Sequence, residues 1–124
     1  MVKFWLISAG IFGFLSVALG AFGAHTLKNV LDDYGKSIYE KAALYQMFHT
    51  TGLFVVGILQ YLVKDTSFSI AGWGFLVGIL LFSGSLYLVA VTGIKWFGVI
   101  TPFGGVAFLF GWFWLVLTIL KGRV

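Results

Sequence analysis

The chain of 124 residues has no cysteine, a single proline and only 10% charged residues. Without thiols it can form neither a disulfide framework nor a thiolate metal site nor a cysteine nucleophile. The scarcity of charge excludes an ordinary soluble domain, which is about half apolar and about a quarter charged. Here 60% of residues are hydrophobic and the mean hydropathy is +1.05. A soluble domain of this size buries only about two-thirds of its unfolded surface, so its exterior would stay aliphatic and aromatic. A second apolar solvent is required, and the lipid bilayer supplies it.

Acid is scarcer still: Asp32, Asp33, Glu40 and Asp65 are the only carboxylate side chains, and none falls inside a long apolar run. That disfavours export coupled to protons or cations through a buried carboxylate. The net charge of +4 comes from lysines and one arginine scattered singly between apolar runs. Nucleic-acid binding wants such charges clustered on one stripe, so no nucleic-acid partner is expected. Their placement is that of residues flanking membrane spans.

The runs themselves predict an all-α fold, an integral membrane four-helix bundle forming one transmembrane domain over residues 1–124. Residues 4–24 carry no charge and at about 1.5 Å per residue suffice for a hydrocarbon core of about 30 Å. A signal peptide is the alternative for this run, which exceeds the usual apolar length of about 7 to 15 residues. The second span is expected over 42–63, between Lys41 and Lys64, and the third over 68–92, with Trp73 and Tyr87 as ring anchors towards its two ends. After the break TGIKWFG, Thr101 and Pro102 read as a capping hydroxyl followed by a first-turn proline, opening a fourth span over 103–120.

Between the first two spans, Leu27, Leu31, Tyr34, Ile38 and Ala42 recur every three or four residues, with Lys28, Asp32, Asp33 and Lys36 on other faces. This period predicts a short amphipathic segment, interrupted at Gly35, lying in the headgroup region.

Lipid gives helices no hydrophobic reason to associate, so small residues that let backbones approach must provide the packing. Ala9, Gly13, Ser16, Gly20 and Ala24 share one face of the first helix and form the expected seam. Gly74, Gly78 and Ser85 in the third helix, and Gly104, Gly105 and Gly111 in the fourth, offer others. The glycines are not a phosphate cradle: GAFGAH lacks the G-x-G-x-x-G spacing, and the strand that motif needs is absent.

The candidate functional residues are polar groups within or beside the spans. Gln46, His49 and Gln60 share a face of the second helix, Tyr45 adjoins them, and His25 ends the first helix on the same side of the bilayer. Polar groups at depth are a functional hypothesis by default, and an imidazole titrates near neutrality, so His49 could carry a proton relay. The two histidines could also approach one another or the acidic linker. Bis-histidine haem ligation is disfavoured because the imidazoles lie at different depths. No H-x-x-x-H or H-E-x-x-H spacing supports a metal, and Ser83-Gly84-Ser85 does not match G-x-S-x-G. No catalytic residue, metal or cofactor is therefore expected, and the chain is not expected to be an enzyme.

With four spans both termini share a side. Lys3, Lys64, Lys121 and Arg123 then oppose Lys28, Lys36, Lys41 and Lys95, so the positive-inside rule is nearly silent. Insertion in both orientations with antiparallel pairing follows as a hypothesis.

The segments GAFGAHTLK, YQMFHTTGL, LFSGSLYLVAVTG and ITPFGGVAFLFGW, in this order, resemble the small membrane protein family called domain of unknown function 423, whose eukaryotic relatives are named transmembrane protein 256. The resemblance runs from about residue 4 to residue 120. Its G-A-H and Y-x-x-x-H elements fall on Gly23, Ala24 and His25 and on Tyr45 and His49. It implies a four-helix protein of the bacterial cytoplasmic (inner) membrane and carries over no catalytic residues. Two functions are expected to compete: a non-catalytic accessory, scaffold or membrane-stabilising protein, as a homo-oligomer or within a larger membrane complex, and a small oligomeric channel or transporter with a polar route around His49.

Overall fold

A computed structural model describes residues 1–122 and 124. In hydrocarbon every backbone N–H and C=O must be satisfied within the protein, and the chain answers with helices. Four are long and apolar enough to cross a membrane. We label them α1 (Val2–His25), α2 (Asp33–Leu62), α3 (Ser69–Thr92) and α4 (Thr101–Lys121).

Helix α1 packs along α2, α2 along α3, and α3 along α4. The outward faces remain apolar: Phe14, Leu109 and Leu120 are each more than 70% exposed, which only a lipid environment makes favourable. Inside, one core cluster gathers Trp5, Leu53, Phe68, Phe75 and Phe108 towards the end that carries the termini. A second gathers Leu27, Ile38, Tyr39, Val89 and Ala90 at the opposite end.

The start of α2 corrects the reading of the linker. No separate amphipathic helix precedes the span; residues 33–41 are the first turns of one 30-residue helix. Asp32 caps it, its Oδ1 accepting the Gly35 N–H at 2.6 Å. Gly35 does not interrupt the helix. It is buried, and a Cβ there would stand 3.0 Å from Asp32 Oδ1 and 3.5 Å from the Ala90 carbonyl oxygen. The absent side chain therefore lets the cap close against the end of α3. Leu27 and Ile38 face the bundle rather than acyl chains, both among the second cluster.

Helix α3 contains a π-helical turn over Ile79–Ser83, a wide turn that such helices often carry at functional sites. Gly93, at φ 72°, terminates α3 in the left-handed conformation that favours glycine. A 3₁₀ turn, Lys95–Val99, then leads into α4. Pro102 occupies the first turn of α4 as expected. Thr101, however, is no cap: its hydroxyl pairs with Ser85 Oγ and ties α4 to α3. Tyr87 likewise is no interface anchor, since its hydroxyl turns inward to Gln46 at 2.7 Å.

The tightest seam lies between α3 and α4. A Cβ on Gly74 would meet the Gly111 Cα at 2.7 Å and the Ala107 carbonyl oxygen at 3.0 Å. Gly78 receives the Phe108 ring, and Gly104 receives the backbone of Phe82 at the π turn, whereas a Cβ on Gly105 would come no nearer than 3.9 Å to Phe82. The expected seam on α1 holds over half its length. Ala9 and Ser16 are buried, and a Cβ on Gly13 would lie 3.7 Å from Thr50 Cγ2. Beyond Ser16 the contact leaves the expected stripe: a Cβ on Gly20 would meet nothing within 4 Å, Ala24 is exposed, and the contact passes to Gly23, on which the Tyr39 ring rests.

Candidate functional site

The polar residues of α2 form a layer between the two apolar clusters. Gln46 is 2% exposed. Its amide nitrogen donates to the Phe12 carbonyl on α1 at 3.1 Å, and its Oε1 accepts from Tyr87 on α3 at 2.7 Å. One side chain thus joins three helices. One turn towards the N-terminus, Ser83 Oγ in the π turn donates to the Ala42 carbonyl at 2.8 Å, and one turn beyond, Thr50 returns its hydroxyl to the Gln46 carbonyl at 2.6 Å.

His49 is equally buried, and both its ring nitrogens are engaged. The Trp112 indole N–H donates to Nε2 at 2.9 Å. Indole nitrogen is a donor only, so Nε2 must accept and the proton must reside on Nδ1. Nδ1 then donates to the Tyr45 carbonyl at 2.8 Å. Phe108 lies flat on the imidazole, with centroids 3.5 Å apart and planes within 9°, and Phe48 meets it edge-on. This is a neutral imidazole enclosed by aromatic rings.

A cleft of about 690 Å³ opens between α2 and α4, lined by His49 itself with Tyr45, Phe48, Phe82, Phe108 and Trp112. Its lining is mostly apolar and aromatic. Gln60 does not extend the layer: it sits at the loop near the other end, donating to the Thr66 carbonyl at 3.0 Å and accepting the Phe68 N–H at 2.8 Å. Its amide braces the turn into α3.

His25 stands apart. It is exposed at the end of α1 and lines a second groove with Lys28, Lys36 and Glu40. It lines a different cavity from His49, whose ring nitrogens bond Tyr45 and Trp112 instead. Among the described residues, no three histidine, aspartate or glutamate side chains gather into a metal-sized cluster.

Comparison with known proteins settles the lineage. The family described as "Protein of unknown function (DUF423)" matches residues 19–105. A UPF0382 membrane protein of Staphylococcus epidermidis is 44% identical over 122 residues, covering 97% of this chain and 98% of its own. The chain belongs to this family. Similar relatives include the UPF0382 membrane protein YwdK of Bacillus subtilis, 42% identical over 121 residues, covering 97% of this chain and 98% of its own. Another, from Staphylococcus haemolyticus, is 41% identical over 122 residues with the same coverage. No solved structure matches.

In this DUF423 chain the family's Y-x-x-x-H element has a plain structural meaning: its first residue supplies the carbonyl that the imidazole four positions on requires. The partners that complete the layer, Trp112, Tyr87 and Ser83, were not singled out as such in the sequence. Trp112 shares a helix face with Phe108 and Leu115, a period that marks the buried side of α4. Nothing local tells which ring on that side turns an N–H towards α2. Ser83 and Ser85, which stand in sequence like a hydrolase fragment, spend their hydroxyls on the Ala42 carbonyl and on Phe82 and Thr101.

Proposed function

We propose that this protein is a non-catalytic, multi-pass component of the bacterial cytoplasmic membrane that acts by contact, as an accessory or scaffold subunit of a larger complex or homo-oligomer, or as a protein that stabilises the bilayer. One observation carries the reading. The titrating side chain at mid-depth, His49, has both nitrogens committed inside the bundle and an aromatic ring on its face. A relay or transport site needs a polar atom held in reserve for the passing ion or solute. Gln46 likewise has its amide nitrogen and its oxygen each engaged by a partner on a neighbouring helix. A rigid, internally satisfied bundle with apolar outer faces is suited to being packed against.

The test is extraction in mild detergent followed by crosslinking and mass determination, with the gene deleted in parallel under membrane stress. A stoichiometric self- or partner complex, or a stress phenotype, is the expected outcome; a lone monomer with no phenotype counts against the proposal. The rival function, a small channel or transporter with its route around His49, predicts proteoliposome flux that falls in His49→Ala. Such flux would replace the scaffold reading.

A further inference from the structure

Beside the Tyr39 contact, α1 and α2 leave a groove of about 730 Å³ at the end of the bundle that carries the α1–α2 linker. Its rim is polar and its depth is apolar. Lys28, Lys36, His25 and Glu40 stand around the mouth, while Gly20, Ala24, Leu44 and Met47 line the part that runs down beside the spans. Leu44 and Met47 are both more than half exposed, so this lower part opens sideways into lipid. Its width comes from what α1 lacks: a Cβ on Gly20 would meet nothing within 4 Å. One wall is fixed, because the Tyr39 ring rests on Gly23 and its hydroxyl is committed to the Leu19 carbonyl. The cavity is therefore built by the fold and not by a loose side chain.

We infer that this groove holds one phospholipid with an anionic, hydroxyl-bearing headgroup, of the phosphatidylglycerol type. The inference goes beyond any scaffold role, since a bound lipid of this kind is independent of what else the bundle touches. Two lysines against one carboxylate leave the rim net positive, and ammonium groups bind phosphate as point charges. Lys36 is half-buried, so its apolar stem lies along the groove and its charge emerges at the headgroup level. Glu40 accepts hydrogen bonds from headgroup hydroxyls, which a choline headgroup cannot donate. One acyl chain follows the slot past Gly20 towards Leu44 and Met47. A soluble phosphate would satisfy only the rim and leave this apolar slot unfilled.

Native mass spectrometry from nanodiscs containing equal phosphatidylglycerol and phosphatidylcholine tests the site. The full chain should retain one phosphatidylglycerol in preference to phosphatidylcholine, and excess glycerol phosphate should not displace it. Lys28→Gln with Lys36→Gln should weaken retention by about fivefold per lysine. Gly20→Leu keeps every charge but fills the slot, and should also expel the lipid while the thermal unfolding profile in detergent stays unchanged. Lys3→Gln with Lys121→Gln, at the opposite end, should have no effect. Equal retention of the two lipids, an equal loss in the opposite-end control, displacement by glycerol phosphate, or unchanged retention in both groove variants would each overturn the site.

Discussion

The indole nitrogen of Trp112 and Nε2 of His49 meet at 2.9 Å, joining α4 to α2 across the interior of the bundle. Because indole only donates, this one contact sets the histidine tautomer, and the tautomer in turn sets the bond from Nδ1 to the Tyr45 carbonyl. A residue that the sequence presents as a proton carrier is in this way made part of the packing. The Phe108 ring on its face closes the box.

Replacing Trp112 by phenylalanine should keep most of the ring volume and remove the donor. Hydrogen bonds between membrane helices average about 0.6 kcal/mol and reach about 1.7, so a destabilisation of roughly 0.5–1.5 kcal/mol is expected in reversible unfolding from mixed micelles. Nitrogen shifts of the imidazole should report protonation at Nδ1 in the parent protein. A parent spectrum with the proton on Nε2 would contradict the arrangement.

Glycines divide sharply by what a methyl group would strike. Gly74→Ala drives a Cβ towards the backbone of Gly111, which cannot rotate away, and overpacking of this kind costs roughly 1–3 kcal/mol. Gly10→Ala, with nothing within 4 Å, should be neutral or stabilising. Parallel thermal-denaturation curves in one detergent decide the matter, and equal midpoints for the two variants would dismiss α3–α4 as the close seam.

This division shows what was legible in the sequence and what was not. Span number, approximate ends and the small-residue faces follow from hydropathy and period, because lipid punishes any other arrangement. Period alone cannot say which of two seams is closer: α1 has the longer small-residue stripe, yet Gly20 faces open space while Gly74 touches backbone. The linker misled for a related reason. Its three-and-four spacing is real, but Ile38 finds α3 instead of acyl chains, and only the tertiary fold supplies that partner. The polar layer was half visible: Gln46 and His49 stand out on α2, whereas Tyr87 and Trp112 are ordinary members of aromatic-rich spans until their direction is known. Gln60 kept the face that the helical period gives it, and its role changed because the chain turns back beside it.

Gln60→Leu isolates that bracing role. The substitution removes the donor to Thr66 and the acceptor for the Phe68 N–H while leaving helix propensity nearly unchanged. Faster hydrogen exchange at the Phe68 amide and at residues 63–68 is expected, with the exchange of the Gln46 layer unaffected. Protection of Phe68 equal to that of the parent chain would mean that the bond is not formed in the membrane.

The balance of basic residues leads to the last prediction. Lys28, Lys36, Lys41 and Lys95 lie towards the linker end of the bundle, and Lys3, Lys64 and Lys121 at the end of the termini; Arg123, the fourth basic residue counted with the termini, lies outside the described residues. Orientation is set by the asymmetry of Lys and Arg in short loops, and here no asymmetry exists. The absence of native cysteine makes the test clean. Single cysteines at the exposed positions Asn29 and Ser67, at opposite ends of the bundle, should each react partially with an impermeant maleimide in intact cells. Asn29→Lys, read through the Ser67 cysteine, makes the count five against four, so the linker end should be retained inside and labelling at position 67 should rise. Labelling confined to one end and indifferent to the added lysine would show that something other than loop charge fixes a single orientation.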